Sequence, residues 1–272
     1  MVNLPYFIPR IIRHFLPDPV VRYLLNQAWI IKPGPETILP SVAVEYYQQA
    51  LHARSIDLDG KRVMIFGYGG NYAVGCSLLQ AGAGHVVLCE KEGFPDYRRN
   101  RELLLEFDRY LTLENHQVLP DPKYFTLLHG DIRTLAVQQP PALVDIVLSS
   151  YVYEHLSAAD EVTAALVLLT APGGVHLHFI DLRDHYFLYP FEMLCYSEQT
   201  WQRWLNPSSN HNRYRLPDYQ KLFARHFQKV EIQIQATDKH AFELARSRIR
   251  PEFLTGDEEI DAVTMIYVLA YR

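Results

Sequence analysis

From residue 61 onward, short apolar runs alternate along the chain with longer segments of helical periodicity. Helical patterns separate the first three runs, and the fourth from the fifth, whereas 131–143 is interpreted as a shorter, proline-containing link. Strands that alternate with helices are typical of a parallel sheet covered on both faces. We therefore predict an α/β, Rossmann-like, doubly wound sheet. The predicted strands are 62–67, 85–90, 124–130, 144–150, 174–182, 229–235 and 262–271.

The first 55 residues lack this alternation, and we interpret 1–55 as a helical extension of a main domain at 56–272. Six prolines divide 1–38 into short helices, and a second helix is predicted at about 40–54. The extension is expected to form a lid over a substrate crevice or a dimer contact, because frequent prolines oppose one long helix on a membrane surface. The prolines are Pro5, Pro9, Pro17, Pro19, Pro33 and Pro35.

Residues 183–217 interrupt the rhythm and are too long for a plain connection between elements. They are rich in tyrosine, tryptophan, histidine and arginine. We predict a substrate-facing insertion, although its aromatic side chains could instead form a small core of their own.

Composition limits the classes of protein that this chain can represent. The 272 residues are 49% hydrophobic and 21% charged, a balance that supports a large globular core. A net charge of −5 gives no electrostatic reason to expect a nucleic-acid partner. Three widely spaced cysteines form no metal or redox motif and fit the reducing cytoplasm as buried structural residues. No apolar run is long enough for a transmembrane helix, and no signal-peptide pattern is expected.

The first predicted strand stops at a cluster of glycines in "VMIFGYGGNYAVG". Gly67 can form a tight turn, and Gly69 and Gly70 allow a ligand to approach the backbone closely. Ligands of open α/β sheets bind beyond the carboxyl ends of the strands, where this turn lies. A dinucleotide fingerprint requires a third glycine where this chain has Tyr72. A tight turn with no ligand remains an alternative.

Carboxylates follow the next two strands. Glu90 ends the second strand, where it could accept two hydrogen bonds from a ribose diol or could simply be solvated. Asp131 follows the third strand and could accept a hydrogen bond from an adenine amino group, with Ile132 packed on the base. The sequence therefore indicates an adenosine-containing ligand.

Taken in order, G-Y-G-G, Glu90, "GDI", "DIVLSSYVYEHL" and "APGG" resemble the class I S-adenosylmethionine-dependent methyltransferases over about residues 40–182. The resemblance implies a seven-stranded, mostly parallel sheet with an antiparallel last strand. It also implies S-adenosylmethionine as cofactor, released as S-adenosylhomocysteine. The cofactor-binding residues that it implies are Gly67, Tyr68, Gly69, Gly70, Glu90, Lys91, Asp131, Ile132, Ser149, Ser150 and Tyr151.

Residues that could bind or activate the methyl acceptor are concentrated after the fifth strand, in "HLHFIDLRDHYFLYPFEM". His155 and His185 are candidate general bases, with Asp184 orienting His185, although either histidine could have a packing role. His176 and His178 are interpreted as hydrogen-bonded sheet residues, and no metal site is predicted. The candidate substrate-binding residues are Tyr47, Arg183, Tyr186, Asn212, Arg213 and Arg215, of which the arginines could equally form structural ion pairs.

We therefore predict a cytoplasmic enzyme of biosynthesis that methylates an oxygen, in a hydroxyl or carboxylate, of a small metabolite-like or peptide-like molecule. Neither nucleic-acid binding nor integral membrane association is expected, and a homodimer is compatible with the sequence. The alternatives are an N-methyltransferase, a nicotinamide-dependent oxidoreductase and a cofactor-binding protein that has lost its substrate site.

Overall fold

The computed structural model of the chain describes residues 3–16, 40–91, 93–186, 188–206 and 211–272. Seven strands form one sheet in the order β5-β2-β1-β6-β7-β9-β8. β9 runs antiparallel to both β7 and β8, and all other adjacent pairs in this sheet are parallel, so the predicted mostly parallel sheet with an antiparallel last strand is confirmed. The seven strands are β1 (Arg62–Phe66), β2 (His85–Glu90), β5 (Phe125–His129), β6 (Val144–Ser150), β7 (Thr170–Asp181), β8 (Lys229–Thr237) and β9 (Val263–Tyr271).

Helices cover both faces of this sheet. Alternate residues of β1 enter different hydrophobic cores, with Val63 and Ile65 in one core and Met64 and Phe66 in the other. This two-sided burial confirms the doubly wound arrangement and explains why the central strands are almost uniformly apolar. The described helices are α1 (Leu4–His14), α2 (Pro40–His52), α3 (Ala73–Gln80), α4 (Tyr97–Glu102), α5 (Ile132–Gln138), α6 (Ala159–Leu169), α7 (Glu198–Thr200), α8 (Leu216–Ala224), α9 (Lys239–Arg246) and α10 (Glu258–Asp261).

Two connections differ from the sequence prediction. The link predicted at 131–143 contains helix α5, because Asp131 caps its N-terminus by accepting the Arg133 N–H and the prolines come only after its last residue. Between β2 and β5, helix α4 is followed by a separate hairpin of β3 (Leu111–Glu114) and β4 (Gln117–Pro120). Asn115 and His116 both have positive φ, which suits a tight two-residue hairpin turn.

Helix α1 also differs from the prediction, because it continues through Pro9 where a break was expected. Its side chains on either side of that proline are held by one partner: the Tyr6 hydroxyl and the Arg10 guanidinium both donate to the carboxylate of Asp184. These tertiary contacts compensate for the backbone hydrogen bond that proline removes. The helices predicted for 17–38 lie outside the described residues.

The aromatic insertion forms a core of its own together with α1. Phe191, Trp201 and Leu205 are buried in this cluster, with Phe7 and Ile11 of α1 packed against it. Phe191, Tyr196, Trp201 and Trp204 therefore pack as the alternative interpretation expected, whereas Tyr214 and Tyr219 pack against the core of the sheet, and Phe187 lies outside the described residues. The insertion contains a 3₁₀ turn at Glu192–Cys195 and helix α7, which runs into a π-helical turn at Trp201–Leu205.

All three cysteines are free thiols. Burial raises the pKa of Cys76, Cys89 and Cys195 to about 12, so each stays protonated and weakly nucleophilic at neutral pH. Cys76 and Cys89 are buried, as predicted, whereas Cys195 is only partly buried. Among the helices that the structure describes, none combines the length and apolar composition needed to cross a membrane.

Candidate functional site

A cavity of about 400 Å³ opens at the carboxyl ends of β1, β2, β5 and β6. Its volume lies within the range of small-molecule sites, and its position is where ligands of open α/β sheets bind. Strand ends and the turns that follow them supply most of its wall. Its lining includes Gly67, Glu90, Lys91, Asp131, Ile132 and His155.

The glycine turn after β1 has a left-handed backbone, with φ of +82° at Gly67, +64° at Gly69 and +79° at Gly70. A Cβ atom on Gly67 would lie 2.5 Å from Val152 Cγ2, and one on Gly70 would lie 2.3 Å from the carbonyl oxygen of Phe94. A Cβ on Gly69 would meet no atom within 4 Å. Chain packing therefore requires two of these glycines, and only Gly69 faces open space.

Glu90 connects the glycine turn to the end of β2. Its Oε2 accepts the Gly69 N–H at 3.0 Å, and its Oε1 accepts the Lys91 N–H at 2.9 Å. These bonds fix the orientation of the carboxylate on the cavity wall. Each carboxylate oxygen has a second lone pair, so Glu90 can still accept hydrogen bonds from a ligand.

Asp131 occupies the equivalent position after β5. It pairs with Arg133 at 2.5 Å, and Lys91 Nζ lies 3.9 Å from its carboxylate. The hydrogen bond from Arg133 is the main cause that lowers the pKa of Asp131 to about 2, so this group is ionised at neutral pH. The neighbouring Ile132 is buried and adds an apolar surface to the wall.

The two serines at the end of β6 face opposite sides of the sheet. The Ser149 side chain is fully buried and hydrogen-bonds to His178 Nδ1 at 2.8 Å, and His178 in turn contacts His176, as expected for sheet histidines. Ser150 Oγ lies 2.6 Å from the hydroxyl of Tyr47 on helix α2. The Ser149 side chain is therefore used within the core, and of the two serines we retain only Ser150 as a candidate ligand-binding residue.

Tyr151 follows these serines with φ of +58°, a left-handed backbone that is strained for a tyrosine. Its N–H donates to the Phe179 carbonyl oxygen on β7 at 2.9 Å. Strain of this kind persists only where the surroundings hold it, and it is frequent at ligand sites.

The amides that begin helix α3 are already used within the chain. The Tyr72 N–H donates to Asn100 Oδ1 at 2.9 Å, and the Ala73 N–H donates to Asn71 Oδ1 at 2.8 Å. The Tyr72 ring is buried and stacks on Tyr68 with 6.1 Å between ring centroids. A pyrophosphate would need these amides as donors.

Three histidines and one glutamate meet beside the cavity. Glu154 Oε1 lies 4.0 Å from His185 Nε2, and the ring centroids of His155 and His185 are 4.8 Å apart. The His211 ring lies 4.6 Å from that of His185 and 5.4 Å from that of His155. Burial is the main cause that lowers the pKa of His185 to about 4 and that of His211 well below its usual value. We call Glu154, His155, His185 and His211 the imidazole cluster.

Sequence reasoning selected only His155 and His185 from the imidazole cluster. Glu154 precedes His155 directly in the 3₁₀ turn Tyr153–His155, and this position in the sequence could have identified it as a member of the site. His211 comes from the far end of the insertion, and no local pattern distinguishes it. Only the folding of the insertion brings His211 to the other members.

Asp184 directs its carboxylate at the N-terminal helix. The side chain is fully buried and accepts hydrogen bonds from Tyr6, Arg10 and the Tyr186 N–H. Burial raises the pKa of this carboxyl. These contacts give Asp184 a role in attaching α1 to the loop after β7, and we do not propose it as the group that orients His185.

Three candidate substrate residues instead hold the insertion in place. Arg213 donates to the carbonyl oxygens of Met193 and Tyr196 at 3.0 and 2.7 Å. Arg215 donates to the Leu182 carbonyl oxygen at 2.7 Å, and Asn212 donates to that of Tyr153 at 2.7 Å. Because these polar groups bind backbone carbonyls, we leave Asn212, Arg213 and Arg215 out of the proposed acceptor site.

Arg183 remains a candidate cation for the acceptor. It pairs with the buried Asp181 through two nitrogens, at 2.9 and 2.7 Å, and about one third of its side chain (34%) is exposed. Tyr186 follows in the same loop, stacked on Tyr189 with 5.9 Å between ring centroids and edge-on to Tyr6.

Solved structures with the same architecture identify the fold. This chain is similar to a protein from Galdieria sulphuraria described provisionally as a sarcosine dimethylglycine methyltransferase (TM-score 0.52, 11% identity, 94% of this chain and 97% of that one). It is also similar to a provisionally assigned O-methyltransferase from Nostoc punctiforme (TM-score 0.52, 11% identity, 99% and 72%) and to the carbon methyltransferase CurJ (TM-score 0.50, 9% identity, 100% and 61%).

No protein-family model and no curated protein sequence matches this chain. The structural likeness, at such low identity, shows the fold. The chain therefore has the fold of the class I S-adenosylmethionine-dependent methyltransferases, as the sequence resemblance implied.

Proposed function

We propose that this protein transfers a methyl group from S-adenosylmethionine to an oxygen of a small organic molecule. The observation that carries the proposal is one cavity of about 400 Å³ whose wall contains Gly67, Glu90, Asp131 and Ile132. These groups come from three strand ends of a sheet with the methyltransferase fold. Together they match the amino-acid portion, the ribose and the adenine of that cofactor.

Each part of the cofactor has a chemically suitable partner. The ribose diol donates to the Glu90 carboxylate, the adenine amino group donates to Asp131, and Ile132 packs on the base. We assign Ser150 and Tyr151, at the end of β6, to the methionine portion. Tyr47 is fully buried, and its hydroxyl, 2.6 Å from Ser150 Oγ, positions that serine.

The structure disfavours the nicotinamide alternative. A dinucleotide places its pyrophosphate on the free amides at a helix N-terminus, but in α3 the amides of Tyr72 and Ala73 donate to asparagine side chains. S-Adenosylmethionine has no phosphate and does not need those donors.

The acceptor is expected between His155, which lines the cavity, and His185 in the loop after β7, whose ring centroid lies 4.8 Å from that of His155. Methyl transfer is an in-line displacement, so the protein must position a nucleophile and exclude water. Arg183 can hold an anionic oxygen, and the imidazole cluster supplies groups that can bind or deprotonate a hydroxyl. The fold alone does not select the acceptor atom, since similar structures include an O- and a carbon methyltransferase.

A small-molecule acceptor suits the charge and surroundings of this chain better than a nucleic acid. The net charge is −5, and the insertion that follows β7 supplies an aromatic core beside the site. The free cysteines are compatible with a reducing compartment, and we propose the cytoplasm.

Calorimetric titration with S-adenosylmethionine and S-adenosylhomocysteine tests the proposal. The protein should bind both, and Glu90→Gln should weaken binding by about 1.5–3 kcal/mol, or roughly 10- to 100-fold, because the negative charge and one of the two acceptor oxygens are lost. Glu114→Gln makes the same change at an exposed position in β3 and should leave the affinity unaltered. Absence of binding by the wild-type protein, or equal effects of the two variants, would overturn the proposal.

A further inference from the structure

We propose that Glu154, His155 and His185 bind a divalent transition-metal ion of the Zn²⁺ type, with His211 as a fourth ligand. One potential donor atom from each of the first three residues lies within 4.8 Å of the others. Atoms at this spacing can converge on a single ion with small side-chain movements. This binding site stands on its own geometry and does not depend on the proposed function.

The donor set has the chemistry of a transition-metal site. Two imidazoles and one carboxylate are the ligands of several catalytic zinc sites, which keep one further position for water or a substrate. Imidazole nitrogen favours Zn²⁺ and its neighbours in the periodic table over Mg²⁺ or Ca²⁺, which prefer oxygen ligands. The cluster therefore indicates Zn²⁺ or a similar ion.

His211 provides an independent indication of a ligand at this position. It is only 2% exposed, and neither of its ring nitrogens has a hydrogen-bond partner in the part of the chain that the structure describes. Buried polar groups in proteins nearly always have partners, and those without one require an explanation such as a bound ion. Its ring stands at 89° to that of His185, and a metal ion would satisfy one of its nitrogens.

The segments that carry Glu154, His155 and His211 are held in place by hydrogen bonds that do not use the ligand groups. The turn with Glu154 and His155 is fixed by Asn212, whose N–H and side chain donate to backbone carbonyls of that turn at 2.9 and 2.7 Å. His211 is held through its carbonyl oxygen, which accepts from Trp201 Nε1 at 3.1 Å and Asn206 Nδ2 at 3.2 Å. Such supporting bonds are typical of preorganised metal sites.

The position of the site suggests what the ion would do there. His155 also lines the proposed cofactor cavity, so an oxygen of the methyl acceptor could bind the ion there as a fifth ligand or in place of His211. A hydroxyl group bound to the ion would lose its proton to solvent more easily and become a better nucleophile. This role, unlike ion binding itself, rests on the proposed methyl transfer.

Metal titration of the full-length protein tests the site. Chelator-treated protein is titrated with Zn²⁺ by calorimetry and with Co²⁺ by visible absorption, which reports ligand geometry. We expect one ion per chain, with affinity at least about tenfold weaker in Glu154→Gln and in His185→Ala. His226→Ala is the matched control, because His226 also lies beside a carboxylate, 3.2 Å from Asp160, but on another part of the surface. That variant should bind the ion as the wild type does.

The outcomes separate this inference from the proposed function. The inference is wrong if the wild-type protein takes up no ion, or if His185→Ala and His226→Ala bind it equally well. His185 is 22% exposed, so its replacement should leave the fold intact, which circular dichroism can verify for each variant. Binding of S-adenosylmethionine by metal-free protein is measured separately; cofactor binding without ion binding would reject only the metal site, and the reverse result would reject only the methyltransferase.

Discussion

Gly69 and Gly70 are adjacent in one turn but have different surroundings. Both have a left-handed backbone, which costs a side-chain-bearing residue about 1–2 kcal/mol. A Cβ on Gly70 would also collide with the Phe94 carbonyl oxygen at 2.3 Å, whereas one on Gly69 would point into open space. The two glycines look equivalent in the sequence. In the structure, the backbone conformation favours glycine at both positions, and lack of space for a Cβ also requires it at Gly70.

Alanine substitutions should reveal that difference. Gly69→Ala is expected to lower the free energy of unfolding by about 1–2 kcal/mol, the cost of the backbone conformation alone. Gly70→Ala should lower it clearly more, because the Phe94 backbone must move. Urea unfolding of both variants measures the effect, and equal losses would show that the turn relaxes without strain at Phe94.

Helix α1 is attached to the loop after β7 through a buried ionic contact. Asp184 is fully buried, the Arg10 side chain is 12% exposed, and the Tyr6 hydroxyl donates to the same carboxylate. His185 and Tyr186 follow Asp184 directly in the chain. The N-terminal segment therefore supports the loop that borders the proposed acceptor site, and we propose that it acts as a lid there.

Arg10→Met should weaken this attachment strongly. The variant leaves the buried Asp184 carboxylate with hydrogen bonds from Tyr6 and Tyr186 but without its cationic partner, and breaking a buried ion pair in this way typically costs about 3–5 kcal/mol. Hydrogen exchange should then increase in 4–14 and in the loop after Asp184. Arg225→Met breaks an exposed pair with Asp160 and should cost about 0–1 kcal/mol. Unchanged exchange in α1 after Arg10→Met would show that the apolar contacts of the helix hold it without the ion pair.

At the scale of the whole molecule, buried imidazoles make the fold sensitive to acid. Burial lowers the pKa of His176 to about 3, while in the unfolded chain the group titrates near its usual 6.5. As the pH falls, the unfolded chain takes up this proton first, so the stabilising contribution is complete above pH 6.5 and is lost towards pH 3. His178, which contacts His176, also has a lowered pKa, so its contribution to stability is likewise lost as the pH falls.

The free energy of unfolding should therefore fall between pH 7 and pH 5, with about 2 kcal/mol of the loss due to His176. His176→Gln keeps hydrogen-bonding capacity but cannot titrate. Between pH 7 and pH 5 the free energy of unfolding of this variant should therefore fall by about 2 kcal/mol less than that of the wild type. His226→Gln alters a partly exposed histidine and should retain the wild-type loss. Urea unfolding at the two pH values provides the comparison, and identical losses in all three proteins would mean that His176 is not neutral in the folded state.

The amino-acid sequence by itself determined the sheet and the wall of the cavity. Strands buried on both faces must be apolar throughout, so their seven runs were visible, and the carboxyl ends of parallel strands necessarily meet at one edge. Gly67, Glu90 and Asp131 could therefore be expected near one another from their positions alone, and they line one cavity. Helix α5 and the β3–β4 hairpin were missed because short caps and turns give weak patterns.

Only the tertiary structure decided what the acceptor side contains. Asp184, Arg213 and Arg215 look like catalytic or binding groups in the sequence, but their charges are used to join segments far apart in the chain. His211 joins His155 and His185 because the insertion folds back over the turn after β6. Contacts between distant segments depend on how whole elements pack, and no local pattern of residues encodes them.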